Sequence, residues 1–410
     1  MGSGKFDSPM SHPDFLPTGM PTVGARRSYG SLPNEQKLGV GVVGLHEGLT
    51  MLIALRASGL CKAVAGCDLS EEKREAASEA MGQTKGRSPL PPTPSPSGTS
   101  HPDREGAPEF FTTDDFDELL DRQDVRIVAI YTPDSLHAEQ IERAMRAGKD
   151  VICTKPLIND ASAIPGLLKT AKETGRRLQV GQSTRFYEPF QRQREMFESG
   201  HFGEVEVLDA HYNHRMDWYY TKSPWTVTDT HWAYLGLSHP VDLVRWYLGE
   251  IEEVHAFGTT TTLGASHGMR TPDAITVNLK AKSGRIGRVL GNYGFHELPK
   301  ARSLIECFLM GSEGTSLARY PDLRFTYHDK RGVEIEEDFH HAMSGYYYRH
   351  ELKGMHYGEF CNYADYFASR LLTGEPNSPD LVEGLQTVLV MRAIVESLET
   401  GKPVRVPDLS

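Results

Sequence analysis

Two short runs hold the residues best suited to chemistry. In Asp150-Val151-Ile152-Cys153-Thr154-Lys155-Pro156 an apolar, strand-like segment ends on a lysine, and the proline behind it biases that lysine toward an extended conformation. In His239-Pro240-Val241-Asp242 the proline is of a kind tolerated in a helix's first turn, which predicts His239 at the N-terminal end of a helix running through Tyr247. A helix N-terminus disfavours imidazolium and leaves the ring able to accept a proton. A lysine at the carboxyl end of a parallel strand stands where open α/β sheets bind ligands, and partial burial lowers its pKa toward a usable value. Such a pair suits transfer of a hydroxyl proton while the carbon beside it exchanges a hydride with a nicotinamide. Asp242, one turn beyond His239, is placed to orient that ring or to hold a substrate hydroxyl. Spacing alone leaves plainer readings open, a solvated strand-end lysine and an ordinary histidine among 17.

The element that would position them begins earlier. From Lys37 a β-branched apolar run reaches Gly44, turns, and enters Met51-Leu52-Ile53-Ala54-Leu55-Arg56-Ala57, which has helical composition. Strand, tight turn and helix aim backbone N–H groups at a diphosphate. Against the dinucleotide fingerprint G-x-G-x-x-G, Gly44 holds the first place, His46 stands at the second and Leu49 at the third. A second buried run, Cys61 to Cys67, ends at Asp68, where a carboxylate accepts hydrogen bonds from ribose hydroxyls and repels a 2′-phosphate. With Leu69 and Ser70 following rather than Arg or Lys, NAD is expected over NADP. Asp68 also suits a helix cap ahead of Glu71-Glu72-Lys73.

Composition narrows the class. The 410 residues are 39% hydrophobic, enough for two domains and a sizeable core, and the net charge of −11 argues against nucleic acid or an anionic membrane as the main partner. No apolar run is long enough to span a bilayer, and the first residues lack a signal-peptide core. Five scattered cysteines read as buried thiols of a reducing compartment, the cytoplasm, with no metal-binding pattern. Residues 1–37 read as a flexible arm, 38–157 as alternating strands and helices, and 84–108, rich in Pro and Ser, as a surface insertion.

Taken together, Gly44-x-x-x-Gly48, Asp68, Thr132-Pro133-x-x-x-His137, Ala147-Gly148-Lys149 through Lys155-Pro156-Leu157, Val180-Gly181, Arg185-Phe186, His239-Pro240-Val241-Asp242 and the closing Glu399-Thr400-Gly401-Lys402-Pro403 resemble the Gfo/Idh/MocA oxidoreductases. The resemblance implies an N-terminal Rossmann domain, a doubly wound parallel sheet, over 38–157. It also implies a C-terminal α/β domain over 158–410 with a large open, mostly antiparallel sheet that binds substrate and joins subunits into a homo-dimer or homo-tetramer. It implies NAD contacts from Gly44, His46, Glu47, Gly48, Asp68, Thr132, Pro133, His137, Lys155 and Pro156, and an acid–base pair of Lys155 and His239 acting on a secondary hydroxyl of a sugar, cyclitol or glycoside. Two departures stand out. The family's Glu-Lys-Pro is Thr154-Lys155-Pro156, and its Asp-x-x-x-His is Leu235-x-x-x-His239. His231, Tyr234, His211 and Tyr212 are candidates for the missing carboxylate's role, and Arg185, Tyr212, His231, Tyr234 and Asp242 for substrate contacts. The aromatic stretch Trp218-Tyr219-Tyr220, Trp225 and Trp232 is a candidate sugar platform. A glycosidase or lyase that uses NAD transiently, and a non-catalytic binding protein, are the alternatives that these departures allow.

Overall fold

The structure, a computed structural model, describes residues 29–82, 110–296, 304–339 and 358–409. The expected insertion and residues 1–28 of the expected arm lie outside them. Residues 29–37 are packed on the first domain: the Tyr29 ring meets Tyr366 edge-on at 5.7 Å, and the Leu32 N–H donates to the Gly59 carbonyl at 2.9 Å. An aromatic and a leucine in an otherwise polar stretch supply the apolar surface that holds this part down.

Six parallel strands form the first sheet: β1 (Leu38–Val43), β2 (Cys61–Cys67), β3 (Phe111–Thr113), β4 (Ile127–Ile130), β5 (Asp150–Thr154) and β6 (Leu178–Gly181), in the order β3-β2-β1-β4-β5-β6. Helices α1 (Gly48–Leu55), α2 (Glu71–Ala80), α3 (Phe116–Asp121), α4 (His137–Arg146) and α5 (Ile164–Thr174) cross between them. Both faces are covered, so the strands read as unbroken apolar runs; all four residues of β4 are buried. The strand order reverses at β1, and ligands bind beyond the carboxyl ends of the strands at such a switch point. Gly44, Asp68, Thr132, Lys155 and Gln182 all lie just past those ends.

The parallel sheet does not end at residue 157. β6 pairs with β5 through Val151 with Leu178 and Thr154 with Gly181, so the first domain extends at least to Gly181. A later segment also returns to it. After α6 (Glu188–Glu198), and far along the chain, the helix α12 (Glu359–Thr373) buries Phe360, Tyr363 and Phe367 in one cluster with Met51, Leu52 and Val42. Sequence order alone had placed both segments in the second domain.

Nine strands make the second sheet, ordered β14-β13-β12-β11-β7-β10-β9-β8-β15, with β7 (Val205–Asn213) parallel to β10 (Ile286–Asn292) and the other neighbours antiparallel. The remaining strands are β8 (Ile251–Thr259), β9 (Ala274–Ala281), β11 (Ile305–Gly311), β12 (Gly314–Tyr320), β13 (Arg324–Asp329), β14 (Glu334–Asp338) and β15 (Val404–Arg405). Alternation is clean in β9, where Ile275, Val277, Leu279 and Ala281 are buried and Thr276, Asn278 and Lys280 are exposed. The buried face packs against α10 (Ser238–Leu248) and α13 (Leu381–Thr400), the latter started by a capping box between Asp380 and Glu383. Between β7 and α10 run three short helices, α7 (Asp217–Lys222), α8 (Trp225–Thr228) and α9 (Trp232–Leu235); α11 (Thr262–Ser266) follows β8.

Candidate active site

The turn after β1 is built around two glycines. Gly44 has φ +81°, a region L side chains avoid, and a Cβ there would lie 2.7 Å from backbone atoms of Tyr131 and Thr132 at the end of β4. A Cβ on Gly48 would lie 2.7 Å from Val42 Cγ1, so it is Gly48, one residue earlier than the fingerprint's third glycine, that lets α1 close on β1. His46 occupies the fingerprint's second position, and burial with the Lys222 charge from α7 lowers its pKa. The Lys222 and Lys73 charges beside His46 complement a diphosphate.

Asp68 Oδ2 accepts the Leu45 N–H at 2.7 Å and Oδ1 accepts the Ser70 N–H at 2.9 Å. Each oxygen retains a second lone pair toward which a ribose hydroxyl can donate. The close-packed glycine turn and this carboxylate fit a dinucleotide.

Thr132 and Pro156 act through their backbone. Their carbonyls, with that of Leu157, surround the His137 ring: Nε2 lies 2.9 Å from Thr132 O, and Nδ1 lies 2.9 Å from Pro156 O and 3.2 Å from Leu157 O. His137 is therefore a buried strut between the ends of β4 and β5 rather than a cofactor contact, because both ring nitrogens are engaged by main-chain oxygens. Pro133 caps the short turn that leads to it.

Lys155 follows β5 directly. Its Nζ donates to the Leu235 carbonyl at 3.1 Å and lies 5.8 Å from the centroid of the Tyr212 ring. Burial lowers its pKa to about 8, against the opposing charges of Glu47 and Asp134. Asp134 is itself buried and held above the usual carboxylate range by that burial; its oxygens accept Thr230 Oγ1 at 2.6 Å and Asn159 Nδ2 at 3.0 Å, which ties the turn after β4 to the segment before α9.

His239 is the second residue of α10, and its ring meets the Tyr212 ring edge-on at 5.7 Å, so lysine and histidine share one neighbour. Nδ1 lies 2.9 Å from Gln182 Oε1, just beyond β6. Tyr212, on the buried face of β7, is thus the common floor, and burial raises its phenol pKa. His231 caps α9: Nδ1 accepts the Ala233 N–H at 3.0 Å, which leaves its proton on Nε2, and burial lowers its pKa to about 4.

Four expectations are corrected by packing. Arg185 and Asp242 bind each other, with Nε–Oδ2 at 2.6 Å and Nη2–Oδ1 at 2.8 Å and side chains 3% and 1% exposed. A bidentate pair this deep is a structural join, and neither group is left for substrate or for the His239 ring. Tyr234, in α9 beside the Leu235 carbonyl that accepts from Lys155, is buried, and burial raises its phenol pKa. His211 sits on the opposite face of β7 from Tyr212, paired with Asp209 at 2.9 Å, and the carboxylates of Asp209 and Glu306 raise it to about 9. Of the aromatic stretch, Trp232 and Tyr220 belong to the core, donating to Thr226 O and Asp273 Oδ2, while Trp218 is 48% exposed. Sequence reasoning missed Gln182 and Asp134; polar residues just past the ends of parallel strands are the signal that could have found them.

A parallel sheet in this order, a close-packed glycine turn and an acidic residue after the second strand define an NAD-binding oxidoreductase. Residues 38–182 match the family model described as oxidoreductase family, NAD-binding Rossmann fold, and residues 190–316 match the GFO/IDH/MocA C-terminal domain, so the chain belongs to the Gfo/Idh/MocA family of NAD-dependent oxidoreductases. It is 28% identical over 304 residues to an inositol 2-dehydrogenase of Gluconacetobacter diazotrophicus, covering 73% of this chain and 82% of that protein. A levoglucosan dehydrogenase of Pseudarthrobacter phenanthrenivorans is 24% identical over 338 residues, covering 73% and 84%. In fold the chain is similar to an oxidoreductase from Agrobacterium radiobacter solved with NAD+, L-tartaric acid and magnesium, with a TM-score of 0.73, 18% identity and coverage of 90% and 98%. Among the described residues no helix is long and apolar enough to cross a membrane.

Proposed function

We propose that this chain is an NAD-dependent dehydrogenase of a secondary hydroxyl on a sugar, cyclitol or glycoside, with Lys155 and His239 as its acid–base groups. The observation that carries this reading is their convergence on Tyr212, at 5.8 Å from the lysine ammonium and 5.7 Å from the imidazole, at the carboxyl edge of the parallel sheet. The family relation and the two relatives named for cyclitol and sugar substrates support the substrate class.

When bound, the nicotinamide supplies the hydride acceptor or donor. The protein's part is to hold and move the hydroxyl proton. His239 accepts it on Nε2, the nitrogen away from Gln182. Lys155, with a pKa of about 8, populates both protonation states near neutral pH and hydrogen-bonds the reacting oxygen as charge develops on it. Asp134 and Glu47 hold negative charge near that ammonium. The reading extends to assembly: a second copy covers the outer face of the nine-stranded sheet, which exposes Phe257, Ile286 and Phe308.

The test is purified protein with NAD and a panel of sugars, cyclitols and chromogenic glycosides, following reduced nicotinamide and aglycone release together. Steady NADH formation with a cyclic polyol is expected, and Lys155→Ala and His239→Ala each lower kcat about 10²- to 10⁴-fold. Aglycone release without net NADH would replace this reading with a glycosidase that recycles its NAD. Silence across the panel in both channels would replace it with a non-catalytic binding protein.

A further inference from the structure

We infer that Gln182 is the positioning residue of the active site: its side-chain amide selects the tautomer of His239 and, being neutral, holds the ring less basic than a carboxylate in the same place would. This rests on the reading of His239 as the proton acceptor. The geometry is specific. Gln182 Nε2 lies 2.9 Å from Ser238 Oγ and 3.4 Å from the Ser238 carbonyl, an oxygen that can only accept, so the amide nitrogen faces Ser238 and the amide oxygen faces His239. That oxygen, 2.9 Å from Nδ1, can only accept in turn, so Nδ1 carries the ring's proton and Nε2 keeps its lone pair. Thr184 Oγ1, 3.5 Å from the same nitrogen, is at the outer limit of a hydrogen bond. Gln182, Ser238, Thr184 and His239 are all buried, so water does not compete for these contacts.

The strand register explains why this residue is available. Thr154 pairs with Gly181 across β5 and β6, so the next residue on each strand, Lys155 and Gln182, leaves the sheet side by side. One goes to the reacting oxygen and the other to the histidine.

Among the described residues, the carboxylates packed around α10 are each engaged by an arginine. Asp242 on the helix itself is held bidentately by Arg185, which also meets Glu383 of α13 at 3.3 Å. Arg245 binds Glu250 at 2.8 Å. From β7 comes the Tyr212 phenol, and from the end of β5 the Lys155 ammonium. α9 contributes His231, whose Nδ1 is taken by its own helix, and Tyr234, beside Arg392. β11 contributes the Cys307 thiol, which burial keeps protonated. The Gln182 amide oxygen, 2.9 Å from Nδ1, is an uncharged acceptor.

Two variants and one spectroscopic readout test this without a known substrate. Histidine labelled with 15N and 13C, with the His239 signal assigned by its loss in His239→Asn, reports tautomer and pKa directly. The wild type is expected to show the Nδ1–H form. Gln182→Glu places a carboxylate on the same nitrogen and raises the His239 pKa by about one to three pH units. Gln182→Leu removes the acceptor and shifts the ring toward the Nε2–H form. NADH binding by fluorescence, alongside thermal melts, checks that both variants are folded. With a turned-over substrate in hand, the acidic limb of the kcat/KM profile for alcohol oxidation moves up with the pKa in Gln182→Glu, and kcat falls about 10²-fold in Gln182→Leu. A His239 tautomer and pKa unmoved in both folded variants would overturn the assignment of Gln182. Shifted spectra with turnover untouched in His239→Asn would leave the Gln182 contact standing and overturn His239 as the base, so the two failures are distinct.

Discussion

Lys155 shows what the site costs the fold. A lysine held at about 8 instead of 10.5 disfavours folding by about 3 kcal/mol wherever the ammonium is charged in both states. The unfolded chain then binds more protons than the folded one between the two values, so stability rises with pH from about 8 to 10.5 and the full cost is present below about 8. Lys155→Met is therefore expected to raise the melting temperature of the cofactor-free protein at pH 7, with the gain shrinking toward pH 10, while turnover is lost. A melting temperature at pH 7 equal to or below the wild type's would show that the ammonium is not desolvated as described. Arg185 and Asp242 illustrate the opposite economy, in which two buried charges 57 residues apart neutralise each other and leave the chemistry to their neighbours.

At the scale of elements, the turn after β1 tolerates a broken fingerprint because its two geometric demands are still met by glycine. Gly44→Ala sets a Cβ against backbone at φ +81°, and backbone cannot yield; Gly48→Ala presses on the end of the Val42 side chain, which can give slightly. The expected order follows: Gly48→Ala costs about 1–3 kcal/mol of stability and weakens NADH binding, and Gly44→Ala costs more and abolishes it. Denaturant melts and NADH fluorescence titrations measure both. Equal losses in the two variants would mean that the Val42 side chain cannot give and that α1 is held against β1 as rigidly as the backbone at Gly44. The elements on either side of the turn are joined from far along the chain, since α12 supplies the aromatic layer that covers α1.

At the scale of the whole molecule, the two faces of the nine-stranded sheet have different fates. Cross-strand partners lie on the same face, and two adjacent rows run Phe257–Thr276–Leu290–His211–Glu306 and His255–Asn278–Arg288–Asp209–Phe308. This outer face mixes paired charge, such as Arg288 with Asp209, with the exposed rings of Phe257 and Phe308 at 58% and 39%. A face of this composition suits a self-complementary interface. Phe308→Asp is expected to lower the mass found by light scattering to that of a single chain while the circular dichroism spectrum stays unchanged. An unchanged oligomer, or a wild type already monomeric, would rule this face out.

The chain's local pattern was sufficient for the alternation of strands and helices, the turn at Gly44, the acidic residue at Asp68, and the placing of Lys155 at a strand end and His239 at a helix start. Each of these depends on the periodicity and turn chemistry of a few adjacent residues. Tertiary structure alone decided that Arg185 spends its charge on Asp242, that His137 braces two strand ends, that Tyr212 and His211 face opposite sides of one strand, and that Gln182 meets His239. Partners in a buried interior are chosen across dozens of residues, by which polar groups must be satisfied once water is gone, and no local period records that choice.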